Sequence, residues 1–306
     1  CIPTVKNSVP KLPIQPPALI SFTVHNNFLA VAFALISAAT MAAGTVWRHR
    51  IMRAGAPEGE NNDSPLRSLK RPAWWASMGI AFLAYGFQAA ALAFGSLLVV
   101  QPILALSLML TLLFSAWADK RHMHTAEAFW AVLLTASVGG VVVLGRPLPG
   151  ERDPAAWEWW VVVGTAVAII AASYAIASRR PPAGKALIFG SACGAMYGYQ
   201  AVFSKVAVDG FVHGGVTGLL ATWQLWAMLA AATAGTIVQQ YAFAAGRLAT
   251  SLPASKIIEP LVAFSLGLLV LGESFRVDSV LGWAAVGTSI GVMLVAAAML
   301  TRVSIR

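Results

Sequence analysis

Residues 97–117 read LLVVQPILALSLMLTLLFSAW, with no charged side chain among them. A run of this length matches the roughly 20 apolar residues that a helix needs to cross a bilayer. A membrane β-strand would instead alternate polar and apolar residues over about 10 positions. The hydrocarbon core offers no water to the backbone, so an unbroken apolar run must satisfy its own amides as a helix.

The same pattern recurs along the chain, giving nine expected spans at 27–47, 73–94, 97–118, 126–145, 157–178, 186–206, 217–242, 248–271 and 279–301. Over 306 residues, 58% are hydrophobic and 11% charged, and the mean hydropathy is +0.73. Charged residues make up about a quarter of an ordinary soluble domain. These values exclude a soluble enzyme and a disordered chain. The two cysteines, Cys1 and Cys193, are too few for a disulfide framework. The expected fold class is an all-α polytopic membrane protein of about nine transmembrane helices.

The net charge is +9. In a soluble domain that would suggest nucleic acid, but no basic face interleaved with aromatics occurs, so no nucleic-acid partner is expected. The charges lie in loops instead. Of the 21 Lys and Arg residues, 14 fall in the odd-numbered loops and C-terminal tail, and six on the other side. The positive-inside rule then places the C-terminus in the cytoplasm and the N-terminus outside, in a plasma (inner) membrane. Trp74, Trp75, Trp157, Trp159 and Trp160 stand at span ends, as an interfacial aromatic belt would.

The second half echoes the first. An offset of 151 pairs Gln88 with Gln239, Gly95 with Gly246, Leu97 with Leu248 and Pro102 with Pro253. Nearly the same offset aligns Gly44 with Gly198, and Ser137 and Gly139 with Ser289 and Gly291. Spans 1–4 thus match spans 6–9, with span 5 as the joint. Five spans separate equivalent helices, so the halves insert in opposite senses, a common plan for secondary transporters. The expected organisation is a Pro-rich tail without regular structure at 1–26, a first repeat at 27–145, a linker helix within 146–183 and a second repeat at 184–306. Gly95-Ser96 and Gly246-Arg247 are expected to form tight hairpins between neighbouring helices.

Two stretches carry a family resemblance. One is Trp74-Trp75 opening a span that leads into AAALAFGSLLVVQPILALS at 89–107; the other is QQYAFAAG at 239–246, leading into LPASKIIEPLVAFSLGLLVLGE at 252–273. In these the chain resembles the drug/metabolite transporter superfamily, whose common module is the EamA-type domain, and is similar to its NIPA-type magnesium-transporter branch. The likeness covers roughly residues 27–301. It implies a secondary transporter of a small metabolite or drug, with divalent-cation transport as the alternative. The EamA-type plan has ten spans, one more than are read here.

Lys256 and Glu259 are the only charges well inside a span. Burying a charge at the bilayer centre costs about 2.5–3.5 kcal/mol on insertion scales, and such residues usually face an interior pathway. Their i, i+3 spacing puts both on one face of the helix, within mutual reach. The expected substrate or ion-coupling set is Lys256, Glu259, Gln88, Gln101, Tyr197, Gln200 and Gln240, because amides inside a span bond across helices or face a wet cavity. Gly190, Gly194 and Gly198, with Gly287 and Gly291, are read as close-packing faces inside the chain, with a homodimer as the alternative. No catalytic group, cofactor or metal cluster is expected. The partners expected are the lipid bilayer and a small-molecule or cation substrate. A non-transporting scaffold is the remaining alternative.

Overall fold

The computed structural model describes residues 26–54, 72–120, 122–150, 152–245 and 248–304. The expected N-terminal tail up to residue 25, the Gly246-Arg247 hairpin and the side chains of Trp74 and Trp75 lie outside the described residues.

Among the described residues the chain forms nine helices. They are α1 (Asn27–Ala54), α2 (Pro72–Phe94), α3 (Leu97–Ala118), α4 (Thr125–Gly145), α5 (Ala156–Ala177), α6 (Pro182–Ala221), α7 (Trp223–Ala245), α8 (Leu248–Leu269) and α9 (Val280–Ser304). Seven are long and apolar enough to cross a membrane. In α2 the strongly apolar part is shorter, Phe82–Phe94. In α7, Gln224, Gln239 and Gln240 dilute the apolar run. The chain is therefore an all-α polytopic membrane protein. Its exterior agrees: Phe82, Trp117, Trp160, Leu269 and Leu281 all stand exposed, an apolar surface that water would not tolerate and lipid would.

Local chemistry sets the helix ends. Pro182 opens α6, where its missing N–H is no loss. The His124 N–H donates to Glu127 Oε2 at 3.0 Å, closing the start of α4. The Ala155 N–H does the same to Glu158 Oε2 at 2.8 Å in α5. Glu127 itself is buried. The α6 helix is longer than the expected 186–206 span. It runs on to Gly215, whose φ of 59° and ψ of −150° break it, and resumes to Ala221. Only glycine adopts such angles without strain. The hydropathy pattern missed this, because residues 207–221 continue α6 without being uniformly apolar; the expected 217–242 span therefore starts at Trp223 instead, after the Thr222 cap.

The α1 helix packs against α2 and α3, and α6 packs against α7 and α8. The α4 and α9 helices pack on each other, where Gly140 faces Ser289. Two elements were not expected in an all-α reading. The strand β1 (Pro147–Leu148) pairs antiparallel with β2 (Ser274–Phe275), with Pro147 opposite Phe275. This ties the α4–α5 loop to the α8–α9 loop. Gly150 lies directly against the Leu271 carbonyl there. Arg152 donates to the Leu269 carbonyl at 3.1 Å and pairs with Glu158.

Of the expected aromatic belt, Trp157 and Trp160 face outward. Trp159 turns inward and packs against Phe203 and Trp223 at centroid distances of 5.9 and 5.6 Å. Its position at a span start could not tell which way the ring points.

The two glycine faces also part company. A Cβ on Gly190 would lie 2.9 Å from Ser251 Cα, and one on Gly194 would lie 2.8 Å from Ser255 Cα. A Cβ on Gly198 would lie 2.8 Å from the Glu259 carbonyl oxygen. Three glycines thus let α6 and α8 meet backbone to backbone. Gly287 and Gly291 have nothing within 4 Å of a Cβ position. They are exposed, and nothing packs on them among the described residues, which corrects the expectation for that pair. The contact on α9 is carried by Ser289 and Val286 instead, against Gly140 and Gly145.

Candidate functional site

A cavity of about 160 Å³ lies between helices of the two halves. From the first half it is lined by Met41 of α1, Tyr85 and Gln88 of α2, and Gln101, Leu104, Ala105, Ser107 and Leu108 of α3. From the second it is lined by Tyr197, Gln200 and Ala201 of α6, Lys256, Glu259 and Pro260 of α8, and Ala297 of α9. Six of the seven residues read from the sequence meet on this one wall: Gln88, Gln101, Tyr197, Gln200, Lys256 and Glu259. Gln240 does not; its side chain is exposed on α7, away from the cavity. Its neighbour Gln239 is the one turned inward, and it accepts the Tyr197 hydroxyl at 3.3 Å. A one-residue step rotates a helical side chain by about 100°, and the paired glutamines gave no period to choose between them.

Lys256 Nζ donates to Glu259 Oε2 at 3.0 Å. Neither side chain is sealed away: 39% and 25% of their surfaces remain accessible. Both therefore belong to the cavity wall rather than to a dry core. Glu259 sits near the midpoint of α8. Pro260 follows it and has no N–H to give the Lys256 carbonyl one turn back, so that oxygen is released beside the ion pair. Gly198 brings α6 against the same turn. The result is a polar strip of charges, amides and hydroxyls set among apolar helices.

A second constellation was not read from the sequence. It surrounds the Gly95-Ser96 link, which turns the chain in two residues between α2 and α3; the two helices pack on α1 rather than on each other, unlike the expected pair of neighbours. Gly95 fits against Ala30, with no room for a side chain. The first amides of a helix have no intrahelical acceptor. Here the Leu97 N–H donates to Glu273 Oε1 at 2.7 Å and the Leu98 N–H to Glu273 Oε2 at 3.0 Å. On the other arm, Lys205 Nζ donates to the Leu92 carbonyl at 2.7 Å in the last turn of α2, and to Asp209 Oδ1 at 3.2 Å. An anion at a helix N-terminus and a cation at a C-terminus both oppose the helix dipole favourably. Two opposite charges from the second half thus clamp one hairpin of the first.

Glu273 is only 3% exposed. Burial pushes its carboxyl up to about 7, against the pull of the Leu97 and Leu98 amides and of Lys205, while Asp209 adds to the rise. Around the hairpin Leu97, Leu98, Val99 and Val100 are fully covered, with Val270, Leu271 and Phe275 in the same cluster. These side chains form an apolar plug around the hairpin. The sequence signal was available: Glu273 is a lone carboxylate ending a long apolar run, and Lys205 and Asp209 are spaced i, i+4.

No family model matches the chain, and no solved structure matches it. A protein of Corynebacterium glutamicum, named Uncharacterized protein Cgl0250/cg0304, is 50% identical over 282 residues, covering 92% of this chain and 97% of that protein. At that identity and coverage, the chain belongs to the same family as the corynebacterial protein.

Proposed function

We propose that the chain is a secondary carrier of the drug/metabolite-transporter type, moving a small metabolite or drug across the plasma membrane. Nine spans form two inverted four-helix halves joined by α5, with the C-terminus in the cytoplasm. The observation that carries this reading is the polar cavity lined from both halves, with Lys256 and Glu259 near the middle of α8. Apolar packing alone has no use for an accessible ion pair there. The matched packing of α1 on α2 and α3, and of α6 on α7 and α8, supports the repeat.

Alternating access needs one end closed while the other admits solute. The hairpin clamped by Glu273 and Lys205 supplies a closed end, which the positive-inside count places on the outer side. Rocking of one half against the other would part this hairpin and close the opposite end. Export coupled to protons fits a chain with a titratable carboxylate on the pathway.

Divalent-cation transport ranks second. Mg²⁺ is usually held by one or two carboxylates and several waters. Glu259 is the one carboxylate on the cavity wall, and the Lys256 ammonium already sits on it. A cation would have to displace that ammonium.

The test is flux into proteoliposomes against a broad metabolite panel, with and without a pH gradient. The carrier reading expects counterflow of at least one organic solute, abolished by Glu259→Gln and Lys256→Met at unchanged protein content. Flux of Mg²⁺ alone, or unaltered flux in both variants, overturns it.

A further inference from the structure

The start of α3 has two candidate caps and uses the distant one. Ser96 stands at its N-cap, with φ of −79° and ψ of 159°. In that conformation a serine hydroxyl ordinarily accepts the N–H of the second or third helical residue. Here it accepts neither. The Ser96 side chain is fully buried, and its Oγ has no hydrogen-bond partner. The Leu97 and Leu98 amides go instead to Glu273, 176 and 175 positions away.

We infer that the Gly95-Ser96 link is a two-state latch between the halves: shut when Glu273 caps α3, open when Ser96 takes the Leu98 amide and Glu273 meets water, with the open state gaining as pH rises. This rests on the carrier reading, in which one half rocks against the other, and names what regulates that motion.

The parts of the latch belong to different halves. Glu273 is fixed to its own: Gly272 turns the chain with φ of 69°, and the Glu273 N–H donates to the Gly267 carbonyl at 3.0 Å. A Cβ on Gly267 would lie 3.1 Å from Glu273 Oε2, so glycine makes room for the carboxylate. Gly95 is seated in the other half, against Ala30 of α1. Parting the two strips both amides of the carboxylate. A buried amide without an acceptor is costly, and the idle Ser96 hydroxyl can serve Leu98 at once. The Leu97 amide then faces the water that opening admits. The shut state, in turn, strands the hydroxyl. Neither state satisfies every group, which is what two populated positions require.

The direction of the pH dependence follows from what surrounds Glu273. Burial dominates and holds its carboxyl up to about 7 when shut, against the pull of the two amides and of Lys205 on α6, while Asp209 on α6 adds to the rise. The α2 and α3 helices bring no charged side chain. His213 reaches the Asp209 carbonyl rather than Glu273. Arg152 lies against Gly272 but is held by Glu158 and the Leu269 carbonyl. Arg146 and Arg276 flank the strand pair and meet through their backbones, and Lys256 and Glu259 of α8 line the cavity. Opening hydrates Glu273 and returns its carboxyl toward 4.5, so the shut state binds the proton more tightly. Acid therefore shuts the latch. Between pH 4.5 and about 7 the open-to-shut ratio rises by up to about tenfold per unit, about 300-fold in all.

The test reads the distance between nitroxides on Phe28→Cys of α1 and Ser274→Cys of β2, both exposed positions, by pulsed dipolar spectroscopy. The full chain, with Cys1→Ala and Cys193→Ala, is held in nanodiscs from pH 5 to 8.5. A short and a long distance are expected. Their ratio should move toward the long one by up to about tenfold per unit between pH 5 and 7, and level off above. Glu273→Gln should flatten this titration. Ser96→Ala removes nothing that the shut state uses, and should favour the short distance about fivefold, the size of one helix cap. If Glu273→Gln does not fold, the titration and Ser96→Ala decide. One distance at every pH, opening in acid, a titration that survives Glu273→Gln, or an unmoved ratio in Ser96→Ala overturns the latch. Solute flux without these distance changes would leave the carrier standing and remove the latch. The expected distance changes without flux of any solute would do the opposite.

Discussion

Replacing Glu273 by glutamine tests how the hairpin is held. The carboxyl is buried, and its pKa rises from 4.5 to about 7. The folded chain therefore grips this proton more tightly than the unfolded chain does. An upward-shifted carboxyl leaves folding least penalised below 4.5, and stability is lost as pH climbs from 4.5 through about 7. At about 1.36 kcal/mol per pH unit, that interval corresponds to about 3 kcal/mol. Glutamine stays neutral at every pH, so it does not share this loss. Its one carbonyl oxygen serves only one of the Leu97 and Leu98 N–H groups, so near pH 4.5 it should melt below wild type by about 1–3 kcal/mol. From there to above pH 7 the variant should gain about 3 kcal/mol on wild type, roughly 6 °C in Tm for a chain of this size. The assay is thermal unfolding in nanodiscs from pH 4.5 to 8.5, read as the difference between the two proteins. Parallel curves would refute the burial argument. A variant that loses ground as pH rises would show that the two amide bonds outweigh desolvation. Glu273→Ala differs in kind, since it leaves the Leu97 and Leu98 amides without an acceptor. At about 1–3 kcal/mol per buried unpaired group, it should cost about 2–6 kcal/mol at acid pH.

Other substitutions probe separate links. Gly194→Val should force α6 from α8, because its Cβ would lie 2.8 Å from Ser255 Cα; a loss of monodisperse protein on size-exclusion chromatography checks this. Gly287→Ala has open space around it and should raise Tm slightly, by up to about 1 kcal/mol of helix propensity. Lys205→Met removes the donor to the Leu92 carbonyl and the partner of Asp209, and should destabilise by about 1–3 kcal/mol in the same melts. For the cavity pair, Lys256→Met and Glu259→Gln should each lower Tm more than the double variant does. That gives a coupling of about 0.5–3 kcal/mol in a double-mutant cycle, and strict additivity would show that the pair does not interact.

Much of this architecture was legible because membrane insertion leaves few choices. Apolar runs of bilayer length marked the helices, and the start of the 97–117 run, residues 97–103, sits in the covered centre of the bundle while Leu113 and Trp117 face outward. The charge pair on α8 was legible from its cost, as were the buried amides. Rotation was not legible where neighbours share a chemistry. Gln239 and Gln240 differ by one step around the helix, and the sequence reading falls on the outward one. Trp159 likewise turns away from Trp157 and Trp160. Glycine spacing pointed to close contact at 190, 194 and 198 but could not tell which glycine faces would find a neighbour, and Gly287 and Gly291 found none inside the chain. The Glu273 and Lys205 clamp joins residues 175 and 113 positions from their partners. Nothing local in the sequence encodes such a distance.

A carrier requires its cavity to be reached by water from both sides in turn. A cysteine at Gln200, in a chain with Cys1 and Cys193 changed to alanine, reports this through a membrane-impermeant thiol reagent applied to either face of oriented vesicles. The prediction is reaction from both faces, each slowed when the cavity is occupied by a solute that the protein carries. Reaction from one face under every condition would reduce the cavity to a one-sided vestibule, and no reaction from either face would contradict the carrier outright.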